Sequence, residues 1–146
     1  MDILTSFSER LNELMFDKGY TTKTLHEETG IPISVINKYR QRTVAPSAET
    51  AVQLADLFAC SVEYLLGRKE ENHPQTFYAC PPFGERLRFL LAHDHCSQYK
   101  LCKETKISAS VLHYWLNGTH TPNLDNLIKL AKFFDCSVDF VLGREK

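Results

Sequence analysis

Apolar residues recur every three or four positions along most of the chain, and no stretch alternates apolar and polar residues one for one. That spacing is the helical period, so the sequence predicts an all-α protein. Phe7, Leu11 and Leu14 form the first apolar stripe. Ser6 and Glu9 stand three apart in the pattern of a capping box, so the first helix is expected to open at Ser6, with Gly19 ending it. Thr21 is placed to cap a short second helix around Leu25, which Gly30 closes. Ile31 anchors the turn. Pro32 begins a third helix, reaching Arg40, with Ile36 and Tyr39 facing inward. Ser47 caps a fourth helix carrying Val52, Leu54, Ala55 and Phe58, and Ser61 a fifth over Val62–Leu66, closed by Gly67.

The same pattern then occurs a second time. A shift of 76 residues pairs 7–70 with 83–146 without a gap, and 22 of the 64 paired positions are identical. Among them are Phe7 and Phe83, Arg10 and Arg86, Leu25 and Leu101, Cys60-Ser61-Val62 and Cys136-Ser137-Val138, and Leu66-Gly67-Arg68 and Leu142-Gly143-Arg144. Most are apolar or turn-forming, so they preserve a fold rather than a surface. The expected organisation is one domain at 1–70, a linker at 71–82 and a second domain at 83–146. A unit of roughly 60 residues buries only about 60% of its unfolded surface, so each domain is marginal alone. The linker holds Pro74, Pro81 and Pro82 and has no helical period. Its Phe77, Tyr78 and Cys80 are apolar for a free tether, which suggests that part of it packs on a domain. In the second copy Ser97, Ser108, Asn123 and Ser137 take the capping positions. Two departures stand out: Lys106 replaces Gly30, and Asn117-Gly118 follows the third helix where the first copy has Gln41-Arg42. Gly118 takes positive φ freely, whereas Arg42 is strained in the same geometry.

Two short helices joined by a tight turn, the second polar on its outer side, make a helix-turn-helix. The major groove of DNA, about 12 Å wide, admits one helix. Ile33, Ser34, Asn37, Lys38 and Gln41 share the side opposite Ile36 and Tyr39. Asn and Gln pair with adenine, Lys with guanine, and Ile33 suits a thymine methyl. Arg42 and Thr43 lie just beyond, where they could hold phosphate, as does Thr119 in the second copy. The open end of helix two, at Thr22 and Lys23, offers backbone amides and a positive dipole to another phosphate. The matching side of the second copy is Ala109, Ser110, His113, Tyr114 and Asn117, with Gln98 and Tyr99 at the start of its helix two.

The second copy reads Trp115-Leu116-Asn117-Gly118-Thr119-x-x-Pro122, and both copies end in similar segments, Ser61-Val62-Glu63-Tyr64-Leu65-Leu66-Gly67 and Ser137-Val138-Asp139-Phe140-Val141-Leu142-Gly143. With these motifs and Gln98, each repeat resembles the Xre family of helix-turn-helix domains, which includes the lambda-type and Cro repressors. The resemblance covers almost everything outside the linker. It implies two tandem five-helix lambda-repressor-like domains, sequence-specific DNA binding and a transcriptional role. The chain departs from the family pattern at Thr22, where Gln is frequent, at Gln41-Arg42 in place of Asn-Gly, and at Leu116, where Glu is usual.

Composition narrows the classes further. The chain has 146 residues, 43% hydrophobic and 24% charged, and a net charge of -1. This is ordinary for a globular protein and excludes coating nucleic acid through bulk positive charge. Within 21–46 four cations oppose two anions, and within 97–122 three oppose one, leaving +2 in each reading region. Residues 1–70 carry -2 and residues 83–146 carry +2. No apolar run approaches the roughly 20 residues that span a bilayer. The opening Met1–Ser6 lacks the basic and apolar stretches of an export signal, and five cysteines without a Cys-x-x-Cys pair fit a reducing cytoplasm. His93, His95, Cys96 and Cys102 lie close together, yet Cys96 and Cys102 pair with Tyr20 and His26 in a copy with no such ligands, so no metal or cofactor is expected. No nucleophile-and-base arrangement has a supporting motif, so no enzyme is expected. Tyr39 and Trp115 share the phase of Ile36 and Leu112 and are expected in the core, as are Cys60 and Cys136.

Two readings of function follow. In the first, the protein is a transcriptional regulator, a repressor that occupies an operator in double-stranded DNA through the third helix of one or both repeats. Twelve linker residues extend to roughly 40 Å, so one chain could reach adjacent half-sites, and unlike reading faces imply an asymmetric target. In the second, it is a protein-interaction module whose second repeat, with Ala109, Tyr114 and Leu116 outward, mediates homodimer formation or docks a protein partner.

Overall fold

The chain folds into ten helices, eight opened by a side-chain cap and two, α3 and α6, by a proline, with no strand among residues 2–73 and 75–145, which this computed structural model describes. Contacts sort the chain into two units, Met1–Gln75 and Thr76–Lys146. The first holds α1 (Ile3–Lys18), α2 (Thr22–Thr29), α3 (Ile33–Arg40), α4 (Ala48–Leu57) and α5 (Val62–Leu65). The second holds α6 (Phe83–His93), α7 (Gln98–Thr105), α8 (Ala109–Leu116), α9 (Leu124–Phe134) and α10 (Val138–Leu142).

The caps follow the sequence closely. Side chains of Thr21, Ser47 and Ser61 in unit 1, and of Ser97, Ser108, Asn123 and Ser137 in unit 2, each accept from a backbone N–H three residues on. The exception is α1. It opens at Ile3, capped by the Asp2 carboxylate, which accepts from the Thr5 amide at 2.8 Å. Ser6 and Glu9 therefore form no capping box. Ser6 lies inside the helix and its hydroxyl donates to the Leu66 carbonyl at 2.7 Å, tying α1 to the end of α5. Glu9 reaches the Arg42 guanidinium instead, at 3.5 Å.

In unit 1, α3 packs on α1 and α2, and α5 on α1 and α4. Phe7 and Tyr39 meet edge to face with centroids 5.5 Å apart, over buried Leu11, Leu25 and Ile36. Unit 2 repeats this with Phe83 and Trp115 at 5.9 Å, over Leu87, Leu101 and Leu112. Tyr39 and Trp115 are thus core aromatics. Cys60 is buried and Cys136 half-buried.

A matched arginine clamps each unit. Arg10 donates to the Tyr64 carbonyl at 2.7 Å and stacks on the Tyr64 ring at 3.8 Å. Arg86 donates to the Phe140 carbonyl at 3.0 and 2.6 Å and lies over the Phe140 ring. A second pair, Arg68 with Glu63 and Arg144 with Asp139, closes the C-terminal end of each unit.

Residues 76–82 carry contacts to unit 2. The Tyr78 amide donates to the Arg144 carbonyl at 2.9 Å, the Phe77 ring lies 4.3 Å from the buried Arg144 guanidinium, and Pro81 abuts Gly143.

Candidate nucleic-acid interface

The turn between α2 and α3 is built by local hydrogen bonds. Gly30 takes φ 77°, which a glycine adopts without strain. The Thr29 hydroxyl donates to the Leu25 carbonyl at 2.7 Å and accepts from the Ile31 amide at 3.1 Å. His26 Nδ1 meets the Ile31 carbonyl at 2.7 Å. Thr105 does the same work in unit 2, at 2.6 Å from the Leu101 carbonyl and 3.3 Å from the Ile107 amide. There Lys106 itself enters the left-handed region, at φ 63°. The turn geometry survives the change, at a strain of about 1 kcal/mol.

These turns fix the outward side of α3. Ile36 and Tyr39 are buried, and Ile33, Ser34, Asn37, Lys38 and Gln41 are all exposed. An eight-residue helix is about 12 Å long, matched to the major groove. In unit 2, Leu112 and Trp115 are buried while Ala109, Ser110, His113, Tyr114 and Asn117 are exposed. The turn after each reading helix is closed alike, the Thr43 amide donating to the Lys38 carbonyl at 3.0 Å in unit 1, but unit 2 adds further local contacts. The Tyr114 carbonyl accepts from the Thr119 and His120 amides at 3.0 and 3.3 Å, and its ring meets His120 edge-on at 5.1 Å. Asn117 Oδ1 accepts from the Thr119 amide at 2.9 Å and from its hydroxyl. Asn117 and Thr119 are thus committed to the turn after α8, leaving the Asn117 amide nitrogen as the outward donor.

The flanks are cationic in unit 1. At the start of α2, Thr21 caps the Thr24 amide, so the amides of Thr22 and exposed Lys23 head the helix. The Thr22 hydroxyl is held by Arg40, which donates to it at 2.9 Å and to Asn12 at 2.6 Å. Arg40 therefore delivers a guanidinium to the head of α2. This role is not legible in the spacing of apolar residues, because Arg40 lies between the inward and outward sides of α3 and its partners are 18 and 28 residues away. Arg42 adopts φ 65° and Thr43 is exposed beside it. The Arg42–Glu9 pair joins two half-exposed side chains, an ion pair of at most about 1 kcal/mol.

Unit 2 is leaner in charge. Gln98 and Tyr99 head α7 and both are exposed, Tyr99 at 75%. Leu116 stands in place of Arg40, and Arg88, in place of Asn12, donates to the Leu116 carbonyl at 3.2 Å. Gly118 takes φ 81° where Arg42 takes 65°.

Among the described residues no three His, Cys, Asp or Glu side chains gather as metal ligands. Burial pushes the Cys96 thiol above its ordinary value. No helix among the described residues is long and apolar enough to cross a membrane.

A family model, the Cro/C1-type HTH DNA-binding domain, matches twice, at residues 10–71 and 86–145. The chain is also similar to the HTH-type transcriptional regulator ImmR of Bacillus subtilis (strain 168), 32% identical over 65 residues. That alignment covers 44% of this chain and 51% of ImmR, so the chain spans about half the length of the curated relative it matches. No solved structure matches.

Proposed function

The chain belongs to the Cro/C1-type helix-turn-helix DNA-binding domain family, and from that premise we propose that it is a sequence-specific DNA-binding transcriptional regulator, a repressor that occupies an operator in the cytoplasm. The observation that carries this reading is the exposed polar side of α3, fixed by buried Ile36 and Tyr39 and repeated on α8. Ile33, Ser34, Asn37, Lys38 and Gln41 read base edges. Thr22, Lys23, Arg42 and Thr43 hold the backbone, with Arg40 beside them. In unit 2, Ala109, Ser110, His113, Tyr114 and Asn117 read bases, and Gln98, Tyr99 and Thr119 flank them.

The two faces differ at every position but Ser34 and Ser110, so each unit recognises a different half-site and a single chain favours an asymmetric target. Selection of bound sequences from a random duplex pool tests this directly. Recovery of unlike, fixed-spacing half-sites is the expected result, and recovery of no common sequence would overturn the reading. Few cations face the duplex, so affinity should fall only shallowly with salt.

The exposed Tyr114 and half-buried Leu116 favour a second reading, in which unit 2 contacts protein rather than DNA. Alanine at Asn37 and Lys38 would then abolish DNA binding, while alanine at His113 and Asn117 would leave it intact. Equal losses from the two pairs assign DNA contact to both units.

A further inference from the structure

The crossing of the first and third helices carries a cation in both units, but from opposite sides. Unit 1 has Asn12 on α1 and Arg40 on α3; at the paired positions unit 2 has Arg88 on α6 and Leu116 on α8. The cation has changed helix, and each pair still carries one positive charge. In unit 1 the guanidinium is held from two sides. Arg40 Nε donates to Asn12 Oδ1 at 2.6 Å and Nη1 to the Thr22 hydroxyl at 2.9 Å, which brings it against the first residue of α2. In unit 2 Arg88 Nη2 donates to the Leu116 carbonyl at 3.2 Å. Arg88 also walls an open groove together with Leu116, Ser97 and Gln98, the last two being the cap and first residue of α7. Both guanidiniums thus occupy the same place in the repeat, at the crossing and beside the head of the second helix, and both side chains are exposed.

We propose that Arg88 binds a DNA phosphate for unit 2, as the counterpart of Arg40 in unit 1. This rests on the reading of the chain as a DNA-binding regulator. Charge supports the assignment. Arg10, Arg42, Arg68 and Arg144 each meet a carboxylate, whereas among the described residues Arg40 and Arg88 form no ion pair. An exposed cation without a carboxylate is free to neutralise a phosphate and release its counterion. Geometry supports it as well. The bonds to Leu116 in one unit, and to Asn12 and Thr22 in the other, hold each guanidinium in place while using only part of its fork of N–H donors. The rest of the fork suits the oxygens of a phosphate. Arg88 reaches from the first helix to where Arg40 reaches from the third, so exchange between the two helices has preserved the contact.

The salt dependence of binding tests this, with the full chain and the duplex recovered by selection. Arg88→Asn should weaken binding and lower the slope of log affinity against log salt by about 1. Arg88→Lys keeps the charge and should keep the slope. Adding Leu116→Arg to Arg88→Asn gives unit 2 the side-chain pair of unit 1 and should return the slope to that of the parent, which a merely structural role for Arg88 would not do. Circular dichroism checks that each variant stays helical. Arg88 is exposed, so its two single variants keep the fold and decide the matter even if the double variant does not fold. Arg88→Asn with the slope of the parent, Arg88→Lys with the slope of Arg88→Asn, or a folded double variant that recovers nothing each overturns the proposal while the DNA reading stands. A parent chain that binds no duplex overturns the DNA reading, and the proposal with it.

Discussion

The Ser8 hydroxyl donates to the Arg40 carbonyl at 2.8 Å, while at the paired position Gly84 lets the Leu116 carbonyl approach so closely that an added Cβ would lie 2.6 Å from it. One helix crossing is thus satisfied by opposite means. Gly84→Ala is expected to force α6 and α8 apart and destabilise unit 2 by about 1–3 kcal/mol, whereas Ser8→Ala, which loses one hydrogen bond, costs about 1 kcal/mol. Urea unfolding of each variant checks the difference. Arg42 offers a test in which stability and affinity move oppositely. Arg42→Gly relieves a left-handed residue, a gain of about 1 kcal/mol against a weak ion pair with Glu9, and removes the phosphate contact proposed for it, which should lower the salt slope of DNA binding by about 1. Tyr39 predicts a pH effect. Burial pushes its phenol above the ordinary value, so the unfolded chain ionises first as pH rises past about 10. Stability is therefore full below that pH and declines above it, and Tyr39→Phe should flatten the decline in the unfolding midpoint. Several residue roles could not be read from sequence. Arg10 and Arg86 stand out as identities between the copies, but their partner carbonyls lie 54 residues away, and spacing along the chain carries no record of that closure.

At the scale of elements, most helices announced themselves, because capping is a local transaction between a side chain and an amide three residues on. Thr21, Ser47, Ser97, Ser108 and Asn123 are all such cases. The start of α1 was hidden for the complementary reason. Two motifs compete within eight residues, Asp2 with Thr5 and Ser6 with Glu9, and the choice is made by tertiary partners: Leu66 takes the Ser6 hydroxyl and Arg42 takes Glu9. The outward sides of α3 and α8 were legible because they are defined by what is buried opposite, Ile36 with Tyr39 and Leu112 with Trp115. The segment 76–82 is a case where composition alone spoke. Its aromatic residues signalled packing, but the site, a ring over Arg144, depends on a guanidinium near the far end of the chain. Phe77→Ala in the full chain should destabilise unit 2 selectively, by about 0.5–2 kcal/mol, through loss of that stacked contact. Hydrogen exchange resolved by unit is the appropriate measurement, with protection falling in α6–α10 and unchanged in α1–α5.

For the whole molecule, duplication followed by divergence has left two units with the same inner packing and different surfaces. Unit 1 concentrates cations at the head of α2 and along α3, through Lys23, Lys38, Arg40 and Arg42. Unit 2 keeps Gln98 and the α8 face but opens a groove next to them, and Gln98 lines that groove.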